Sequence, residues 1–149
     1  MSDRFLLDRD VLQAMEHPRG NANVRAWVAT VADDALYVSA ITVMEARKGL
    51  VRLRLRATTN AQLAVVQRLE RLFDSQIAAM SGRLLPVDRA VADAWGEMLA
   101  RRDANTMDTA LAATAAVHGL VVATRNLRHF RGRGVALIDP FRANPQIER

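Results

Sequence analysis

The 149-residue chain has no cysteine, which excludes disulfides, thiolate metal ligands and cysteine nucleophiles. It suits a reducing compartment. Lysine is almost absent: of 21 basic residues, every one except Lys48 is arginine. No glycine-rich phosphate loop and no Ser-centred nucleophile elbow are found. His17, His118 and His129 lack the spacing of metal ligands and read as surface or turn residues. The longest stretch free of Asp, Glu, Lys and Arg, Thr109 to Thr124, is too short to span a bilayer. Asp3, Arg4, Asp8, Arg9 and Asp10 interrupt the N-terminus, so no signal peptide is visible. A single, cytoplasmic, membrane-free domain is expected, without repeats, low-complexity segments or internal linkers.

What is present is apolar substance and positive charge. Half of the residues are hydrophobic and the net charge is +5. A basic domain attracts polyanions, and arginine forks match phosphate oxygens. Nucleic acid is therefore the first candidate partner. Two cationic groups are conspicuous: Arg47, Lys48, Arg52, Arg54 and Arg56, and then Arg125, Arg128, Arg131 and Arg133. Such contacts give affinity without sequence choice. A merely solvated basic face is the bland alternative.

The hydrophobic pattern alternates between strands and helices. Strands are expected at Arg4–Leu7, Ala35–Val38, Leu84–Val87, Leu120–Thr124 and Val135–Ile138. Asp10 is expected to cap a helix stopped near Pro18, Asn21 or Asn23 a second, Ser39 a third running to Leu55, and Asp88 a fifth. A fourth follows a break at Thr58-Thr59-Asn60 and runs to about Met80, closed by Gly82, and a sixth runs from Thr106 to Gly119. Ile41, Met44, Leu50 and Leu53 are read as the inward face of the third helix, and Trp27 and Trp95 as core. The alternation predicts a mostly parallel sheet covered on both faces, with ligands beyond the strand C-termini.

Three acids border strongly apolar elements. Asp8 follows Phe5-Leu6-Leu7, Glu45 lies in Ala40–Ala46, and Asp108 opens Ala110–Val117. Each has an ordinary alternative: a turn cap for Asp8, a Thr42-x-x-Glu45 capping box, and a first-turn position favoured by the helix dipole for Asp108. Together they outline an all-oxygen site for Mg²⁺ or Mn²⁺, since clustered carboxylates repel one another unless a cation joins them. Such a metal activates water and stabilises charge on a phosphoryl group.

These residues resemble the PIN-domain family. Phe5-Leu6-Leu7-Asp8-Arg9-Asp10-Val11-Leu12 is similar to its opening motif, Tyr37 to Gly49 to its second, and Met107 to Ala115 to its third. Val122 to Phe130 and Leu137 to Phe141 resemble the close of VapC-type toxins. The resemblance implies a PIN-like three-layer α/β sandwich of four or five short strands over 1–141, with 142–149 a frayed tail. It implies an Mg²⁺-dependent ribonuclease of a type II toxin–antitoxin pair. Asp8, Glu45 and Asp108 would hold the metal, with Asp10 and Asn126 as accessory oxygens. Arg9, Arg47, Lys48, Arg125 and Arg128 would meet RNA phosphates. A homodimer, or a hetero-oligomer with a small antitoxin, is implied as well.

The chain departs from the family pattern in three places. Arg9-Asp10 replaces the usual Thr/Ser-Asn. His129 stands where many relatives carry an acid before Phe130. The segment between Arg102 and Asp108 is several residues short, which would shift Asp108. These departures bear on metal affinity and rate more than on fold, and they motivate an alternative, a catalytically weakened module that binds antitoxin or RNA without turnover. A receiver-type phosphoacceptor also places acids at strand ends, but it needs a Lys where Thr124-Arg125-Asn126 stand.

Overall fold

The computed structural model describes residues 2–17 and 19–149. Among them a single sheet has strands β1 (Phe5–Leu7), β2 (Leu36–Ser39), β3 (Leu84–Leu85), β4 (Val121–Ala123) and β5 (Leu137–Ile138), ordered β3-β2-β1-β4-β5. Every strand pair is parallel. Seven helices connect them: α1 (Arg9–Glu16), α2 (Ala22–Val28), α3 (Ala40–Arg56), α4 (Asn60–Ala79), α5 (Arg89–Arg101), α6 (Thr106–His118) and the one-turn α7 (Leu127–Phe130). This is the expected three-layer α/β sandwich.

The layers follow from period-two side-chain alternation. Phe5, Leu7, Leu36, Val38, Val121 and Ala123 face one side and pack with Leu12, Val24, Trp27 and Met80. Leu6 and Val122 face the other and pack with Leu111, Ala112, Ala115, Leu127 and Phe130. The strands are thus buried on both faces, which explains their unbroken apolar runs. Alanines at 112 and 115 let α6 lie close against the sheet.

The chain builds outward from β1 through β2 to β3, then returns to lay β4 on the other side of β1. Strand order therefore reverses between β1 and β4, and a crevice opens beyond their C-terminal ends. Leu7 pairs with Ala123, so Asp8 and Thr124 leave the sheet side by side.

Several local expectations need correction. The cap of α1 is Asp8, not Asp10: the Asp8 carboxylate accepts the Arg9 N–H at 2.7 Å. The α1 helix ends at Glu16, and the expected stop at Pro18 lies outside the described residues. Of the two candidate caps of α2, Asn21 is the one used. The α4 helix ends at Ala79, ahead of Gly82, and begins with a capping box between Thr59 and Gln62. Of the apolar face assigned to α3, Ile41 and Leu50 are half-buried, whereas Met44 and Leu53 are 41% and 42% exposed. Arginines interleave all round this helix, so its sequence carries two apolar sides and only one finds the core. The tail is paired rather than frayed: Leu137 and Glu148 exchange both backbone hydrogen bonds at 2.8 and 2.7 Å, and Arg149 bonds Asp3.

The two tryptophans differ. Trp27 is buried edge-on against Phe5, with ring centroids 5.1 Å apart. Trp95 is only half-buried, and its indole N–H donates to the Thr106 carbonyl at 3.0 Å. Urea denaturation should show Trp27→Ala losing roughly 3–5 kcal/mol. Trp95→Phe should lose only about 1 kcal/mol, the net worth of one hydrogen bond. Equal losses would contradict this difference in burial.

Candidate functional site

Asp8 is the fixed point of the crevice. Parallel pairing of β1 with β4 places Thr124 beside it, and the buried Thr124 hydroxyl donates to Asp8 Oδ2 at 2.7 Å. The Arg9 N–H takes the other oxygen. Asp8 is thus both a helix cap and an inward-held acid. Burial raises its pKa most; the Thr124 and Arg9 hydrogen bonds oppose this, and Asp108 and Asp10 add to it.

Glu45 comes from the second turn of α3. Ser39 starts that helix and its hydroxyl accepts the Ile41 N–H at 3.0 Å, so the capping-box alternative for Thr42 and Glu45 is not used. The Glu45 pKa is raised, first by burial and then by the charges of Asp8 and Asp108, while Lys48 and Arg9 pull it down. Its Oε1 is buried with no hydrogen-bond partner. Arg9 lies across α3 at Gly49, where a Cβ would come within 3.2 Å of its guanidinium.

Asp108 sits in the first turn of α6. Its Oδ2 is 2.7 Å from His129 Nδ1, the residue that departs from the family pattern. Two arginines hold this side of the crevice by crossing over each other. Arg133 is 7% exposed, and its guanidinium donates to the carbonyls of Met98, Arg102 and Ala104 at 2.9, 3.0 and 2.8 Å. Arg102 reaches back to the carbonyls of His129 and Arg131. The short α5–α6 connection closes through Asn105 in a left-handed conformation, φ 50°. Asp108 lies within electrostatic reach of Asp8 and Glu45.

The three acids therefore influence one another, yet among the described residues no group of three or more His, Asp and Glu is arranged to hold a metal ion as it stands. Both Asp8 oxygens and one Asp108 oxygen are already engaged. The donor set still fits an oxygen-seeking dication, because Glu45 Oε1 is unpartnered and Mg²⁺ keeps several of its own waters, needing only one or two carboxylates. Asp10 is half-buried in the first turn of α1, and Asn126, which precedes α7, makes no side-chain cap bond.

The cations divide into two sets. Arg47 pairs with Asp74 and Glu70 and stacks over Phe73, so its charge is already partnered in the free chain. Arg54 pairs with Glu70, Arg131 with Glu148, and Arg133 is buried. Lys48 and Arg128 are exposed and make no salt bridge among the described residues; Arg125 lies 4.3 Å over the Phe141 ring. Sequence reasoning missed Thr124 and Arg133 as site-building residues. Thr124 was detectable as the residue just past a strand paired with β1; a buried arginine bonded to carbonyls leaves no local signal.

A doubly wound parallel sheet with carboxylates gathered at its switch point defines the class of fold and site. Residues 5–134 match the PIN domain, and the chain belongs to that family. It is 33% identical over 142 residues to Toxin FitB of Neisseria gonorrhoeae, covering 92% of this chain and 98% of that one. It is 30% identical over 142 residues to VapC ribonuclease Y4jK of Sinorhizobium fredii, covering 92% and 97%. The crystal structure of FitAcB from Neisseria gonorrhoeae superposes with a TM-score of 0.77 at 32% identity, covering 92% and 98%. VapBC2 from Rickettsia felis, bound to a promoter DNA fragment, shares the fold at TM-score 0.67 and 13% identity, covering 89% and 96%.

Two measurements probe this site. A carboxyl whose folded pKa lies above its unfolded value stabilises the fold below the unfolded pKa, and that contribution is lost as pH rises through the folded one. Glu45→Gln should therefore raise the urea midpoint at neutral pH, with the gain fading towards about pH 4, the unfolded glutamate range. A pH-independent change would contradict the raised pKa. Separately, Arg133→Met should cost on the order of 3 kcal/mol, by leaving carbonyls without their charged donor. It should also speed amide exchange at 103–108; unchanged exchange there would show that the guanidinium does not hold this loop.

Proposed function

We propose that this chain is the toxin of a toxin–antitoxin pair, a ribonuclease that hydrolyses RNA phosphodiester bonds with Mg²⁺ or Mn²⁺ at Asp8, Glu45 and Asp108. The observation that carries this reading is the unpartnered, buried Glu45 oxygen in the field of Asp8 and Asp108 at the switch point. Its similarity to VapC ribonuclease Y4jK and to Toxin FitB supports it.

The metal, when bound, would lower the pKa of a water and offset charge on the phosphoryl oxygens. Asp8 and Asp108 would hold it. Thr124 and His129 keep those two carboxylates oriented, as outer partners of metal ligands do. Glu45, its pKa raised first by burial and then by the charges of Asp8 and Asp108, is suited to accept the proton of the attacking water. Asp10 and Asn126 are reserve oxygens at the rim. Arg9, Lys48, Arg125 and Arg128 would neutralise substrate phosphates.

An antitoxin is the proposed protein partner, since FitB and VapC relatives are seen in complexes with theirs. A groove of 340 Å³ between α1, α3 and α4 is a suitable seat for it. Leu12, Leu50, Leu53, Leu69, Leu72 and Phe73 line the groove together with Arg9, Lys48, Arg52 and Arg56, which favours an apolar segment with acidic flanks. Assembly as a homodimer and a cytoplasmic location belong to the same proposal. Among the described residues no helix is long and apolar enough to cross a membrane.

The second reading, a module that binds without turnover, is favoured by one observation: among the described residues no acid trio is closed up around a metal position. Cleavage of a structured RNA pool with and without Mg²⁺, against Asp8→Ala, separates the two. The nuclease reading expects metal-dependent cleavage lost by at least about a hundredfold in Asp8→Ala. Equal cleavage by both proteins overturns the site, and none by either leaves the binding module.

A further inference from the structure

The α3 helix carries two oxygens for which the described residues offer no partner. Thr42 Oγ1 and Glu45 Oε1 are both buried and make no hydrogen bond. Thr42 is wholly excluded from solvent. Buried hydroxyls are almost always satisfied. Thr109 and Thr114 on α6 show the usual solution, donating back to the carbonyls of Asn105 and Ala110 at 2.9 and 2.8 Å. Thr42 does not do this, and the capping it could have supplied is performed by Ser39. Its hydroxyl thus has no use in the local structure. A valine of the same shape would fill the position without stranding an oxygen.

Helical phase says which way Thr42 faces. Thr42 and Glu45 are three residues apart and share a face. Ile41 packs into the cluster under α6, and Val43 into the cluster that contains Leu12 and Trp27. Thr42, between them, faces the seam of the two layers, and Met44 on the opposite side is exposed. At that seam β1 ends in Asp8, whose charge Glu45 feels.

We propose that Thr42 is a positioning residue for the attacking water, which its hydroxyl and Glu45 Oε1 hold between them at the acid cluster. This rests on the nuclease reading. In the step the water oxygen bonds to phosphorus and its proton passes to Glu45. The phosphorus bond to the leaving oxygen breaks, and that oxygen takes a proton from solvent. Thr42 exchanges no proton; it fixes the direction of the lone pair that attacks.

The test compares Thr42→Val and Thr42→Ser with the wild type in urea unfolding, Mn²⁺ binding and RNA cleavage. Thr42→Val should be at least as stable as wild type, because it removes an unsatisfied hydroxyl and keeps the volume. Its kcat should fall about tenfold or more, with KM within about twofold, and Thr42→Ser should recover most of the rate. Its apparent Mn²⁺ affinity, read from the metal-induced rise in Tm, should fall about tenfold. A Thr42→Val protein less stable than wild type, or one that binds Mn²⁺ and cleaves RNA like it, overturns the proposal, as does a wild type that Mn²⁺ does not stabilise. A wild type that binds Mn²⁺ but cuts no RNA overturns the nuclease reading. The water-positioning role of Thr42 falls with it.

Discussion

The bond from the Thr124 hydroxyl to Asp8 joins residues 116 positions apart, and the site is laid out from it. It exists because β1 and β4 run parallel in one register, so that the residues following Leu7 and Ala123 emerge as neighbours. It also sits where strand order reverses, the one stretch of the sheet edge that no connecting helix needs to cross. With one Asp8 oxygen held by Thr124 and the other by the first N–H of α1, the acid cannot turn away without undoing a strand end and a helix start together. Glu45 from α3 and Asp108 from α6 are arranged around a carboxylate that the core has already fixed.

Such an arrangement works against folding. Burial is the first cause of the raised pKa at both Asp8 and Glu45, and neighbouring acids add to it. Arg9 and Lys48 offset part of the repulsion at Glu45 without pairing with it, as counter-charges in partly solvated surroundings do. The arginines elsewhere have other work. Arg47 and Arg54 tie α3 to α4 through Asp74 and Glu70, and Arg133 anchors a loop from beneath. The positive charge of the chain is therefore not one undifferentiated phosphate-binding surface: part of it is structural.

How much of this could be read in the sequence depends on whether a signal is local. The strands, the caps at Ser39 and Asp88 and the glycine closing α6 were legible, because apolar runs and capping side chains act within a few residues. The depth of α3 was not, since Met44 and Leu53 are apolar yet remain 41% and 42% exposed. Arg47 read as a phosphate contact because its partners lie 27 and 23 residues away on another helix. The acids were found as individuals at element ends. Their mutual charge coupling, and the pairing of Asp108 with His129, needed the fold. The tail looked loose by composition, yet its backbone pairs with β5.

The crossed arginines give the crevice unequal sides. Carbonyls on both loops beneath Asp108 and His129 are occupied by guanidinium groups, and the connection between α5 and α6 has no spare length. On the α3 side, long solvated side chains and an open apolar groove present many rotamers and few fixed bonds. Entropy lost on binding must then come mainly from that side. The Asp108 wall acts as an anvil whose shape is set before any ligand arrives, while the α3 side adapts its form to whatever is pressed against it.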